Sequence, residues 1–370
     1  MSSKIYPTCL TRDYLSRWDL SNAVRESIQN FIDCGEDNYQ LYRFGNTIEM
    51  ESFVGTIDPK NLLLGVGSKT NDENSRGGFS EGLLLSLLIF ARENVDMTFI
   101  NGDKQWVPTF DWNEDYKCET LYIVEEDAED PVDDSVKIVF ELPSRVADEV
   151  ELNTLQMQND YAKFETDEGT ILLDKEHQGR IYVGGLFVDN FRSEYGFDFP
   201  PQCFALDRDR KSLDPWSVKW QVRQLISQMS ESEEIDEDVS DRLVTSMSKG
   251  DEAFGVLDDY KVGENKSLIT SAEKLYKENY DGKILTSDYD EAEKLKEAGN
   301  KNVAYCNNKS FVKLVQKSDS HKVVFGARKE KEEVSVEDLL DNFEEKWQID
   351  MDTEMYEAWR ELSEKIKSQI

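Results

Sequence analysis

Glu26-Ser27-Ile28-Gln29-Asn30-Phe31-Ile32-Asp33 is the most informative octapeptide of this chain. At 100° per residue, Glu26, Asn30 and Asp33 fall within about 60° of one another on a helix. Leu20, Val24, Ile28, Phe31 and Ile32 fall on the opposite side. One face is therefore apolar and packs, while the other points two carboxylates and a carboxamide the same way. A solvated face would mix Lys and Arg into that stripe; this one reads as the wall of a site.

Working outward, Arg76-Gly77-Gly78-Phe79-Ser80-Glu81-Gly82 runs directly into the apolar stretch Leu83 to Ala91. Glycines ahead of a helix let backbone approach a phosphate, and the helix N-terminus offers unpaired N–H groups and the positive end of its dipole. A carboxylate and carboxamide helix followed by a glycine-rich helix start is one way to hold a magnesium nucleotide.

On these residues the chain resembles the GHKL superfamily of gyrase-type ATPases, heat-shock chaperones, sensor histidine kinases and MutL-type repair proteins. Glu26, Asn30 and Asp33 match its E-x-x-x-N-x-x-D motif. Gly77 to Gly82 is similar to the G-x-F-G-E-G form of one branch, and Leu62-Leu63-Leu64-Gly65-Val66-Gly67-Ser68-Lys69 is similar to that branch's approach to the lid. The resemblance spans roughly residues 15–110. It implies an α+β fold, a GHKL-type (Bergerat) α/β sandwich with a mixed sheet, binding ATP and Mg²⁺. Asn30 would ligate the metal, Glu26 would orient or deprotonate the attacking water, and Asp33 would hold the water network or the base edge. Glu51 would stand in for the adenine-reading Asp of the D-x-G-x-G motif, read here as Glu51-Ser52-Phe53-Val54-Gly55. Gly55, Lys69, Gly77, Gly78, Phe79, Ser80 and Gly82 would complete the nucleotide site. The chain departs from the pattern at Glu51 for Asp, Phe53 for Gly, and Leu84 where many relatives carry Lys.

The 370 residues suffice for two or three domains, and 38% hydrophobic with 11% aromatic content builds real cores. Against 77 acidic residues stand 43 basic ones, a net charge of −34, which argues against a nonspecific nucleic-acid binder. The acidity reads either as a solubilising surface or as a mimic of phosphate charge that occupies a DNA-binding partner. Five scattered cysteines without CxxC spacing read as reduced thiols in a cytoplasmic protein. With only His177 and His321, a His-based zinc site or a Ser-His-Asp triad is not expected. The N-terminus lacks an apolar signal core, and Leu83 to Ala91 is too short to cross a bilayer.

The periodicity predicts a helix over 15–34 capped by Asp19 or Ser21, a strand over 40–52, a lid-like loop over 55–77 and a second helix over 79–93. Strands follow at Met97–Asn101, Gln105–Phe110, Thr120–Val124 and Val136–Glu141. The acidic run Glu125 to Asp134 reads as a solvated hairpin loop. Gly169–Leu173 and Arg180–Val188 read as a hairpin with His177 in its surface turn. Asp207-Arg208-Asp209-Arg210-Lys211 precedes a helix from Trp216 to Met229. Arg208, Arg210 and Lys211 are candidates for a γ-phosphate cation, or form a salt-bridged turn. Ser230 to Asp241 is the linker candidate. Lys283–Thr286, Val303–Cys306 and Val323–Gly326, with intervening helices, suggest a small parallel sheet, and 335–370 two amphipathic helices that pair a homodimer or pack on the chain itself. The expected order is a nucleotide-binding domain over 1–165, a transducer-like segment over 166–230, an acidic linker over 231–250, and a C-terminal α/β domain with a helical tail over 251–370.

Two functions follow as expectations. One is an ATP-binding, slowly hydrolysing switch that couples nucleotide state to a protein partner, without direct nonspecific nucleic-acid binding and without a membrane. The other is a GHKL-fold binding protein with little turnover, motivated by Glu51, Phe53 and Leu84, whose acidic surface engages or inhibits a host protein as a phage or mobile-element factor would. A histidine kinase is disfavoured because no phospho-acceptor helix precedes the motif, and a topoisomerase because no acidic metal triad with an active-site Tyr context is identifiable.

Overall fold

The computed structural model describes residues 3–63, 82–204, 213–232, 235–255, 265–280, 282–321, 340 and 353–367. The chain divides into two compact units, residues 1–268 with 307–311, and residues 269–306 with 312–370.

In the first unit, β1 (Lys4–Thr11), α1 (Leu20–Ile32), β2 (Tyr39–Phe44), β3 (Thr47–Ser52), α2 (Gly82–Arg92), β4 (Met97–Asn101), β5 (Lys104–Asn113), β6 (Cys118–Asp127), β7 (Val136–Glu141) and α3 (Ser144–Leu152) follow in order. The strands form one seven-stranded sheet, β1-β6-β5-β4-β7-β3-β2. Every neighbouring pair in it is antiparallel. Alternation puts Ile48, Met50, Phe99, Trp106, Leu121, Ile123, Ile138 and Phe140 on the inner face, all buried. Onto them pack Ala23, Val24, Ile28 and Phe31 of α1, Leu84 to Phe90 of α2, and Ala147 and Val150 of α3. α2 is buried almost all round, as its unbroken apolar run dictates.

A second sheet follows: β8 (Lys163–Thr166), β9 (Gly169–Leu172), β10 (Arg180–Val183), β11 (Leu186–Asn190) and β12 (Gly196–Phe199), in the order β11-β10-β12-β9-β8. β10 and β12 are parallel, so this sheet, not the first, is the mixed one. α4 (Pro215–Glu231) packs on β8 and β9, and α5 (Glu237–Lys249) and the short α6 (Glu252–Gly255) follow.

Several expectations are corrected. The strand predicted over 40–52 is a hairpin, turned at Gly45, whose φ of +62° is a left-handed conformation. The acidic run is no hairpin loop, because β6 pairs with β1 and β5 while β7 pairs with β3 and β4. It spans the intervening strands, and most of its carboxylates are exposed, as their hydration demands. The hairpin read over 169–188 is opened by β12, which sits between β9 and β10. A boundary at residue 165 would cut β8, which pairs with β9. The linker read over 231–250 is largely α5, which Asp236 caps and Gly250 ends. Leu243, Val244 and Met247 of α5 are fully buried; dense charge on its other faces hides that spacing in the sequence. β1 and α3 were not anticipated; β1 carries Pro7, which an edge strand tolerates.

The second unit contains most of α7 (Lys266–Tyr280), then β13 (Ile284–Thr286), α8 (Tyr289–Glu297) and β14 (Val303–Tyr305). β13 and β14 are parallel, with α8 as the crossover between them. The strand expected over 323–326 lies outside the described residues. α9 (Lys309–Lys317) and α10 (Thr353–Lys367) complete the described elements. No helix among the described residues is long and apolar enough to cross a membrane.

Candidate functional site

α1 begins in a capping box: the Asp19 carboxylate accepts from the Asn22 N–H (3.1 Å), and the Asn22 side-chain oxygen accepts from the Asp19 N–H (3.2 Å). This fixes the phase of the helix. Its apolar stripe lies in the core, and its polar stripe of Glu26, Asn30 and Asp33 faces away from it. Asn30 Nδ2 donates to the Glu26 carbonyl (2.9 Å), which holds the carboxamide against the preceding turn. Arg25 lies 3.6 Å from Glu26 Oε1.

The first residue of α2 meets this stripe. A Cβ added at Gly82 would lie 2.8 Å from Glu26 Oε2 and 3.5 Å from Asn30 Nδ2. Ser86, one turn further on, has its hydroxyl 2.8 Å from the Gly82 carbonyl and 2.9 Å from the Ala23 carbonyl, so one proton is shared between the two helices. Sequence elements more than 50 residues apart thus converge: a carboxylate, a carboxamide and a helix N-terminus whose leading residue has no side chain. Because the atom nearest the added Cβ is the tip of a flexible side chain, Gly82→Ala is expected to leave the melting temperature within a few degrees of wild type while displacing the Glu26 carboxylate. Parallel thermal melts and nucleotide titrations check this.

The end of β3 meets the end of α1. Cys34 Sγ lies 3.3 Å from the Asn30 carbonyl, and the Ser52 hydroxyl lies 3.4 Å from Cys34 Sγ. Ser52 follows Ile48 and Met50 on the inner face and is 5% exposed. Glu51 therefore belongs to the outer face. Its cross-strand partners are Gln40 and Lys137, and its Oε1 accepts from the Ser135 hydroxyl at 3.0 Å. Glu51, expected to stand in for the adenine-reading Asp, thus lies on the outer face, and the strand's period of two puts Ser52 at the inner position, next to Cys34. Ser52 was legible in the alternation from Ile48; Ser135, in the loop just before β7, had no sequence signal.

Beyond β3, Gly55 has φ of +101°, and the following segment is pinned by Asn101. The Asn101 Oδ1 accepts from the Ile57 N–H (2.7 Å), and its Nδ2 donates to the Ile57 carbonyl (2.9 Å). Phe53 is 45% exposed and lies outside the core, whereas Leu84 is 2% exposed and part of it, an environment in which a lysine would be costly. Lys69, Gly77, Gly78, Phe79 and Ser80, the later part of the lid, and Arg208, Arg210 and Lys211 lie outside the described residues. Among the described residues no three His, Cys, Asp or Glu side chains are arranged to hold a metal between them. Mg²⁺ does not require such a cluster, since it keeps several waters and takes only one or two protein ligands beside substrate phosphates.

No family model matches the chain. It is similar to an uncharacterized protein of Mycoplasma pneumoniae (strain ATCC 29342 / M129 / Subtype 1), 24% identical over 225 residues, which cover 55% of this chain and 88% of that protein.

Proposed function

We infer that the chain is an ATP-binding, slowly hydrolysing GHKL-type switch whose nucleotide state governs its interaction with a protein partner. The approach of Gly82 to Glu26 and Asn30 is the observation that carries this reading. Asn30 would ligate Mg²⁺, which when bound neutralises phosphate charge. Glu26 would orient or deprotonate water, and the N-terminus of α2 would receive the phosphates. Calorimetric titration with a non-hydrolysable ATP analogue, with and without Mg²⁺, tests it. Saturable, magnesium-dependent binding supports the reading; no binding at millimolar ligand removes it.

A second reading, a partner-binding protein with little turnover, is favoured by two observations. The inner position at the end of β3 carries Ser52 rather than a carboxylate. The outward stripe of α4 exposes Trp216 (76%) and Trp220 (50%), with the Arg223 guanidinium over the Trp220 ring. From Pro215 to Ser230 this helix has no acidic residue, in a chain of net charge −34. Exposed tryptophan and arginine are the residue types that dominate binding hot spots. Under this reading Glu26→Ala and Asn30→Ala leave biological activity intact; under the first, they abolish it.

A further inference from the structure

His177, read from the sequence as a surface turn residue, is 1% exposed. Its ring lies between those of Tyr161 (5.3 Å between centroids) and Tyr182 (5.9 Å). Its backbone is seated against Gly196, where a Cβ would come within 2.5 Å of the His177 carbonyl oxygen. The ring's Nε2 lies 2.8 Å from Gln158 Oε1. The other end of that carboxamide is committed: Gln158 Nε2 donates to the carbonyls of Glu151 (3.0 Å) and Leu152 (3.3 Å), the last residues of α3. The Gln158 oxygen must therefore face the imidazole, and Nε2 must carry the ring proton. Nδ1 is then bare, buried and without a hydrogen-bond partner among the described residues.

The helix end that Gln158 caps is the seam between the two sheets of the first unit. Tyr182 on β10 donates its hydroxyl to the Leu152 carbonyl (2.8 Å). Arg180 bonds the Asn153 side chain and stacks on Phe187. The Phe187 N–H donates to the Asn153 carbonyl (2.9 Å), and the Leu155 N–H to the Gly185 carbonyl (2.8 Å). On its other side α3 is tied to β2 by Arg43, paired with Asp148 and Glu151, and it packs against α1, which carries Glu26 and Asn30.

We propose that His177 and Gln158 form a proton-operated latch on this seam: neutral His177 holds Gln158 on the carbonyls that end α3, and a proton taken from solvent onto Nδ1 releases it. The charged groups around the ring are few. Asp174 and Glu176, on its own turn, favour the imidazolium, and Arg180 on β10 opposes it. Burial outweighs the two carboxylates and holds the imidazole below its usual range. An imidazolium Nδ1–H would have no acceptor in the closed pocket, so the charged ring is stable only when the 175–179 turn swings outward toward Asp174, Glu176 and water. That movement breaks the bond to Gln158 Oε1 and removes its support from the α3 carbonyls.

The sign follows. The folded-state value lies below the unfolded one of about 6.5, so the latch contributes its full stability above that pH and loses it as pH falls through the folded value. Between about 6.5 and the folded value the open population rises by up to about tenfold per pH unit, and below the folded value it levels off.

The test uses the full chain with nitrogen-labelled histidine, its two imidazoles assigned with His321→Gln. The His177 ring is expected to show the Nε2–H tautomer and to titrate below the ordinary histidine range. Amide exchange at Phe187 and Leu155, corrected for its intrinsic pH dependence, is expected to lose protection between pH 7 and pH 5, by at most about 25-fold for an unfolded value of about 6.5. In His177→Gln that dependence disappears, while central β7 amides behave alike in both proteins. An Nδ1–H tautomer, titration at or above the ordinary range, or equal loss of protection in His177→Gln overturns the proposal. Should His177→Gln not fold, the wild-type tautomer and titration decide alone.

Discussion

Under the proposed function, Glu26→Ala is expected to abolish ATP turnover, by at least about a hundredfold, while magnesium-dependent binding of a non-hydrolysable analogue stays within a few-fold of wild type. The split follows from the geometry. Glu26 presents a carboxylate beside the first residue of α2. Removing a positioned base typically costs two to four orders of magnitude in rate but leaves the phosphate-binding backbone in place. Asn30→Ala would behave differently under the same proposal, because a residue that ligates the metal serves binding as well as chemistry, and both are expected to fall together. Steady-state phosphate release and calorimetry on the two variants make the comparison. Equal loss of binding in both would mean that Glu26 holds the nucleotide rather than activating water; unchanged turnover in Glu26→Ala would remove the catalytic assignment.

Gly196→Ala is expected to destabilise the first unit by about 3 kcal/mol, the upper end of what overpacking a core costs. The added methyl would stand 2.5 Å from the His177 carbonyl oxygen and 2.9 Å from its Cβ. Unlike the flexible carboxylate that faces Gly82, the atom met here is backbone, which can yield only if the whole 175–179 turn opens. Denaturant melts at pH 7.5 measure the loss. A change below about 0.5 kcal/mol, the range of ordinary surface substitutions, would show that the turn gives way freely.

The strength of Glu26-to-Asp33 as a signal came from local physics. A helix imposes its 100° step on any residues that form it, so the sequence alone separated the core stripe of α1 from its polar stripe. β4 and β7 emerged with the same bounds as expected, because each is a short apolar strand inside the sheet. Helix α5 was not legible, because its three buried apolar residues are diluted by Asp, Glu and Lys on the exposed faces. The facing of Glu51 was a different case. A motif aligned by residue type ignores the strand's alternation, and a shift of one residue exchanges inner face for outer.

What the sequence determined by itself was therefore the identity and facing of individual elements: α1 with its two stripes, α2 as a buried helix, the central strands and an acidic surface. Tertiary structure alone decided the partners. It inserted β12 between β9 and β10, put Ser135 beside Glu51, turned His177 inward and brought Gly82 against Glu26 and Asn30. Facing is set by a residue's immediate neighbours through backbone geometry. Pairing is set by long-range burial and hydrogen bonding among segments whose separation along the chain carries no local trace.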